Sequence, residues 1–83
     1  MAEKAVGTVN DFFARPVVAG VELTGTLKVG DTIHIKGHTT DIEMVLESMQ
    51  IDNVNVEKAG KGKSVGLKVP ERVRPGDIIY VVS

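Results

Sequence analysis

The chain has no cysteine and no tryptophan, and its aromatic residues are two phenylalanines and one tyrosine. Without cysteine, neither a disulfide framework nor a thiolate metal or redox site can form, and a reducing cytoplasm is the expected compartment. Long apolar runs are lacking too: none approaches the roughly 18 residues of a membrane span. The start, MAEKAVGTV, does not set a basic region before an apolar one, so no leader is expected. Prolines number three and the formal net charge is −1. Eighty-three residues predict a single domain over 1–83, burying about 60% of the surface of the unfolded chain.

What is abundant is branching at Cβ. Val, Ile and Thr supply 26 residues (14, 6 and 6), and such side chains suit a pleated, half-buried surface better than a helix. The expected class is all-β. Nine glycines fall mostly between apolar runs, where turns of a small barrel or sandwich belong.

The stretch VAGVELTGTLKVGDTIHIKG, Val18 to Gly37, organises the rest. Gly30-Asp31 lies between two apolar alternations, which predicts a hairpin turned by a glycine at positive φ. Before it, Lys4 to Val9 reads as a first strand, broken by Asn10 to Pro16. Adjacent Phe12 and Phe13 point to opposite faces of an extended chain. One is therefore expected in the core; the other either closes a barrel end or serves as a binding aromatic.

Asp41 to Ile51 admits two readings. Ile42, Val45, Leu46 and Met49 have helical spacing, whereas a strand places Ile42, Met44 and Leu46 inward and needs a bulge near Glu47-Ser48 for Met49 and Ile51 to follow. The bulged strand is preferred. Val54 and Val56 alternate next, Gly60 to Gly62 turns, Ser64 to Val69 alternates again until Pro70 ends it, and Ile78 to Val82 is the last strand.

These residues resemble a known family. Leu23-Thr24-Gly25, Leu27-Lys28-Val29-Gly30-Asp31, Val65-Gly66-Leu67 and Val73-Arg74-Pro75-Gly76-Asp77-Ile78 are similar to the second domain of translational GTPases of the elongation factor Tu type. That resemblance implies a small closed Greek-key β-barrel of six or seven strands, without the GTPase domain. Ser48-Met49-Gln50 and Pro75-Gly76-Asp77-Ile78-Ile79-Tyr80 also resemble the C-terminal barrel of the collagenase-like peptidases.

Catalytic constellations are weak. Gly60-Lys61-Gly62-Lys63-Ser64 ends like a phosphate-binding loop, but Glu57 stands where the first glycine belongs and a strand pattern follows where a helix is required. No nucleotide or other cofactor is expected. His34 and His38 would lie roughly 13 Å apart along a strand, so no metal is expected either: His34 reads as an outward strand residue and His38 as a loop residue. Asp31 and Asp77 follow turn glycines, where local hydrogen bonding is their ordinary role. An enzyme is not expected.

Charge is divided along the chain. Residues 1–57 carry four basic and nine acidic side chains, and residues 58–83 carry six and two. Lys58, Lys61, Lys63, Lys68, Arg72 and Arg74 are therefore either a solvated face paired with the acidic half or the candidate partner-binding residues, able to attract RNA phosphates, with no aromatic interleaved among them in sequence. Two functions compete: a barrel binding RNA or a ribonucleoprotein of the tRNA or ribosome kind, as the translation-factor resemblance implies, and a protein-interaction barrel serving an enzyme on another chain, as the peptidase resemblance implies. The sequence leaves the oligomeric state open.

Overall fold

Apolar residues at alternate positions build ten strands in the computed structural model of the chain, which describes residues 3–14 and 17–82. They are β1 (Glu3–Ala14), β2 (Val17–Leu23), β3 (Leu27–Lys28), β4 (Thr32–Lys36), β5 (Asp41–Val45), β6 (Met49–Ile51), β7 (Val54–Asn55), β8 (Lys58–Ala59), β9 (Ser64–Lys68) and β10 (Ile78–Val82). The described residues contain no helix, so the all-β class holds and the domain is barrel-like. Seven strands have three residues or more, within the expected six or seven. The other three are two residues long, too short to display an alternation.

Eight strands form one sheet in the order β5-β4-β10-β1-β2-β9-β6-β7, and β3 pairs with β8 in a second. Every pairing is antiparallel. The inward positions are those the alternation assigns: Ile33 and Ile35, Val65 and Leu67, and Ile79 are all buried. Ile35 faces Ile42 on one side and Ile79 on the other, which ties three strands through one row of branched side chains.

Three expectations need correction. The hairpin at Gly30-Asp31 does not form: the turn is there, but β3 pairs with β8 and β4 with β10 and β5. A turn signal fixes chain reversal, and partner choice depends on what the rest of the sheet leaves unpaired. The break expected from Asn10 is a bulge instead, because β1 runs on to Ala14 and its register against β2 shifts between Val9 and Asp11; the end of that expected break, 15–16, lies outside the described residues. Asp41 to Ile51 is two strands rather than one bulged strand. β5 pairs with β4 and β6 with β9, so the chain leaves the β5 edge of the sheet at Leu46 and re-enters the sheet beside β9 at Met49. The facing was read correctly, since Ile42, Leu46 and Met49 are buried.

One turn geometry recurs three times, at Lys28–Asp31, Gly60–Lys63 and Arg74–Asp77. Each has its glycine at positive φ, Gly30 at 99°, Gly62 at 88° and Gly76 at 96°, as the third position of a type II turn requires. In each, the residue after the glycine donates its N–H to the carbonyl three residues back, at 3.1, 3.3 and 3.1 Å respectively. Each turn also grips one distant buried residue through two backbone bonds. Gly30 N–H donates to the Leu46 carbonyl (2.8 Å) and Leu46 N–H to that of Asp31 (2.9 Å); Gly62 and Lys63 hold Leu23 likewise (2.9 and 2.9 Å), and Gly76 and Asp77 hold Val9 (2.8 and 2.8 Å). Leu46 follows β5, Leu23 ends β2 and Val9 precedes the bulge of β1. The turns thus supply backbone partners where a strand stops or changes parity, the places at which a sheet leaves polar groups unpaired.

Candidate functional site

The six candidate cations are all exposed, and β9 separates them into two groups. Lys58 faces Lys28 across β3 and β8, and Lys61 and Lys63 lie in the turn that grips Leu23. Lys68 closes the other end of β9, about 17 Å away at the ordinary rise of a strand, beside Val18. Arg72 and Arg74 precede β10. The guanidinium of Arg72 lies 5.8 Å from the centre of the Phe12 ring, and Arg74 borders the same hollow with Asp11 and Phe12. No aromatic is interleaved with these cations in the sequence, yet the fold brings one beside them. Phe12 is far off in sequence, and it arrives because β1 continues past Asn10.

A second site was missed by sequence reasoning. Asp11 of β1, Gly20 of β2, Gly66 of β9 and Gln50 of β6 are successive partners across four strands. The bulge at Asn10 puts Asp11 and Phe13 on the outer face, since an unbroken alternation from buried Val9 would turn both inward. Two glycines side by side leave the middle of this row without side chains. A hollow of about 660 Å³ opens there, and its floor spans three strand spacings, about 14 Å.

The walls of the hollow differ. Phe13, 53% exposed, and its cross-strand partner Val18 make an apolar side, while Asn10 and Ser64 make a polar one. Asp52 and Asn53 stand beyond Gln50, in a two-residue turn with φ of 52° and 64°, the type I′ geometry that joins β6 to β7. Asp11 and Asp52 are the ionised groups of the lining, and no cation is among its residues. Asp11 is held in place by accepting the Phe12 N–H at 2.8 Å, and Gln50 donates to Asn55 at 3.0 Å. The sequence carried two signals, the glycine interior to β9 and the exposed phenylalanine, but nothing that joined them.

Polar side chains also gather around His34. Its Nδ1 meets Glu3 at 2.6 Å and its Nε2 meets Asp41, while Lys36 donates to Glu3 at 2.7 Å and lies over the Tyr80 ring. Hydrogen bonding to Asp41, then to Glu3, raises the pKa of His34 above its ordinary value. Bonds from Lys36 and then His34 hold Glu3 below its own. The arrangement ties β1, β4 and β5 together. His38 is exposed in the turn between β4 and β5, and among the described residues no group of three or more His, Cys, Asp or Glu side chains is placed to hold a metal.

No family model matches the chain. It is 46% identical over 78 residues to an uncharacterized protease of Methanocaldococcus jannaschii, a match covering 93% of this chain and 19% of the protease. It is also 39% identical over 77 residues to a collagenase of Porphyromonas gingivalis, covering 90% of this chain and 21% of the collagenase. The likeness is to one segment of these enzymes. The chain spans about a fifth of the length of the curated relatives it matches. Its fold is that of the C-terminal domain of a putative U32 peptidase of Geobacillus thermoleovorans, with TM-scores of 0.86 and 0.87 in two crystal structures at 18% and 17% identity, covering 92% and 94% of this chain and 96% and 91% of theirs. Of the two resemblances in the sequence, these findings support the peptidase one. No helix among the described residues is long and apolar enough to cross a membrane.

Proposed function

We propose that this chain is a non-enzymatic protein-interaction barrel that works beside the catalytic unit of a collagenase-like peptidase. The observation that carries the reading is one of proportion: nearly the whole chain matches, at 46% and 39% identity, about a fifth of enzymes whose names denote proteolysis. A fold of this size made of short strands offers surface more than an enclosed reaction chamber. Chemistry then belongs to the other four-fifths, and the barrel supplies contacts.

The test is complementation. The M. jannaschii relative is made without its matching segment, and the 83-residue chain is added separately. Titration calorimetry should show a complex, and peptide hydrolysis by the shortened relative should rise on addition. No heat and no change in hydrolysis would remove this reading.

RNA binding stands as the second reading, favoured by the stacking of Arg72 on Phe12 with Arg74 beside it. Cations divided between the ends of β9 allow about three phosphate contacts at one end, hence a slope of log affinity against log salt of roughly −2. Replacing Lys68 and Arg74 together by alanine should flatten the slope and leave Tm nearly unchanged, because exposed charges contribute little to stability. Absence of RNA binding at low salt would dismiss it.

A further inference from the structure

We infer that the glycine-floored hollow on the outer face of the sheet binds an extended, cationic stretch of polypeptide, which rests on the protein-interaction reading above and gives that interaction a place and a chemistry. The floor runs about 14 Å across β1, β2, β9 and β6, enough for four or five residues of extended chain at about 3.3 Å each.

Gly20 and Gly66 are direct partners and give the floor no side chain of its own; Asp11 and Val18 lean in from either side, 3.3 and 3.2 Å from where Cβ atoms on Gly20 and Gly66 would stand, and a guest backbone approaches the sheet between them. The walls then sort the guest's side chains. An extended chain alternates its side chains between opposite sides; one set meets Phe13 and Val18, the other Asn10 and Ser64. Phe13 is a large apolar group left 53% exposed at the edge of this hollow, and covering it gives affinity to a guest with an apolar residue there.

Charge selects among such guests. The ionised groups of the lining, Asp11 and Asp52, are both negative and stand towards opposite ends of the floor, with Glu22 close by, accepting a bond from Asn10 at 3.4 Å. A guest with a lysine or arginine at each end and an apolar residue between matches this pattern. A phosphate-bearing guest meets repulsion at Asp11 and Asp52, and since Lys68 borders the apolar wall beside Val18, the guest's own cations belong at the two aspartates rather than at that wall.

Both carboxylates can be neutralised without disturbing the backbone. Asparagine at position 11 keeps an acceptor for the Phe12 N–H, and asparagine at 52 tolerates positive φ. Isotope-labelled protein is titrated with the blocked heptapeptide acetyl-Gly-Arg-Leu-Ala-Ala-Arg-Gly-amide, and with its counterpart bearing glutamate at both arginines, while backbone amide shifts are followed.

The expected result is movement of the Gly20, Gly66 and Asn53 resonances with the arginine peptide and not with the glutamate one. Asp11→Asn combined with Asp52→Asn should raise the apparent Kd about two- to thirtyfold at low salt, the range for two exposed charge pairs. Phe13→Ala should weaken binding in both backgrounds. The inference is overturned if both peptides bind alike, if shifts gather at Lys61 and Lys63 instead, or if maltotriose moves the same amides in wild type and double variant while the arginine peptide moves none.

The complementation assay keeps the two readings apart. A complex with the shortened relative that survives the double substitution overturns the hollow as the docking face and leaves the accessory reading intact. Peptide binding at Gly20 and Gly66 without any complex supports the hollow and removes the accessory reading.

Discussion

The turn at Arg74–Asp77 and the turn at Gly60–Lys63 grip their buried residues with the same pair of backbone bonds, yet only the first has an aspartate after its glycine. In that turn, and in its sister at Lys28–Asp31, the carboxylate accepts the N–H of the residue three back, at 2.9 Å for Arg74 and 3.0 Å for Lys28. At Gly60–Lys63 the same position carries a lysine, and the turn's own hydrogen bond is longer, 3.3 Å against 3.1 Å. The grip on Leu23 therefore needs no carboxylate: glycine at positive φ sets it, and aspartate adds a local bond. A lysine there gives up that bond and leaves an exposed cation in its place.

The comparison is broken most severely at the seat of Asp77. That side chain is buried, with 4% exposed, and a Cβ on Gly37 would lie 1.7 Å from its Oδ1. Gly37→Ala should cost about 1–3 kcal/mol of overpacking and displace the carboxylate as well. Gly60→Ala in the lysine turn, where an added Cβ has nothing within 4 Å, should stay within about 0.5 kcal/mol. Urea denaturation of the two variants measures the contrast.

Removing the carboxylates comes next. Asp77→Ala should cost about 1–3 kcal/mol, because the Arg74 N–H loses its partner in a part-buried place. Asp31→Ala should cost less, about 0.5–1.5 kcal/mol, since that turn is more exposed and water can replace the acceptor. Equal losses would show that burial does not distinguish the two turns. In the opposite direction, Lys63→Asp should stabilise the chain by about 0.5–1.5 kcal/mol by giving the Gly60 N–H the bond that its sisters have. If Lys63 contacts a polyanion, the same change also reduces the salt dependence of that binding.

The smallest expected effect separates these turns from the cluster around His34, whose contribution changes with pH. A raised folded pKa means that His34 stabilises the fold fully below its ordinary value of 6.5 and loses that contribution as pH rises through the folded value. Glu3, held low, contributes above its ordinary 4.5 and loses that as pH falls through its folded value. The cluster is therefore worth most between about pH 4.5 and 6.5. Thermal melts from pH 6 to 9 should show a small decline in Tm that His34→Gln removes, while Asp77→Ala melts lower at every pH and keeps the decline.

What the sequence determined by itself is local. Alternation of Val, Ile and Leu assigned inward and outward faces, even across the parity change between Leu46 and Met49, because a period of two leaves little choice once one face must be buried. Gly-Asp pairs marked turns at Asp31 and Asp77, because an L-residue rarely adopts the φ that Gly30 and Gly76 take. Only the tertiary structure decided which strands pair. β3 turns away from β4 to meet β8, and β1 passes Asn10 to bring Phe12 against Arg72 and Phe13 beside the hollow. The row Asp11, Gly20, Gly66, Gln50 draws on four strands whose neighbourhood no local pattern encodes, since partner choice depends on the packing of the whole sheet rather than on any one segment.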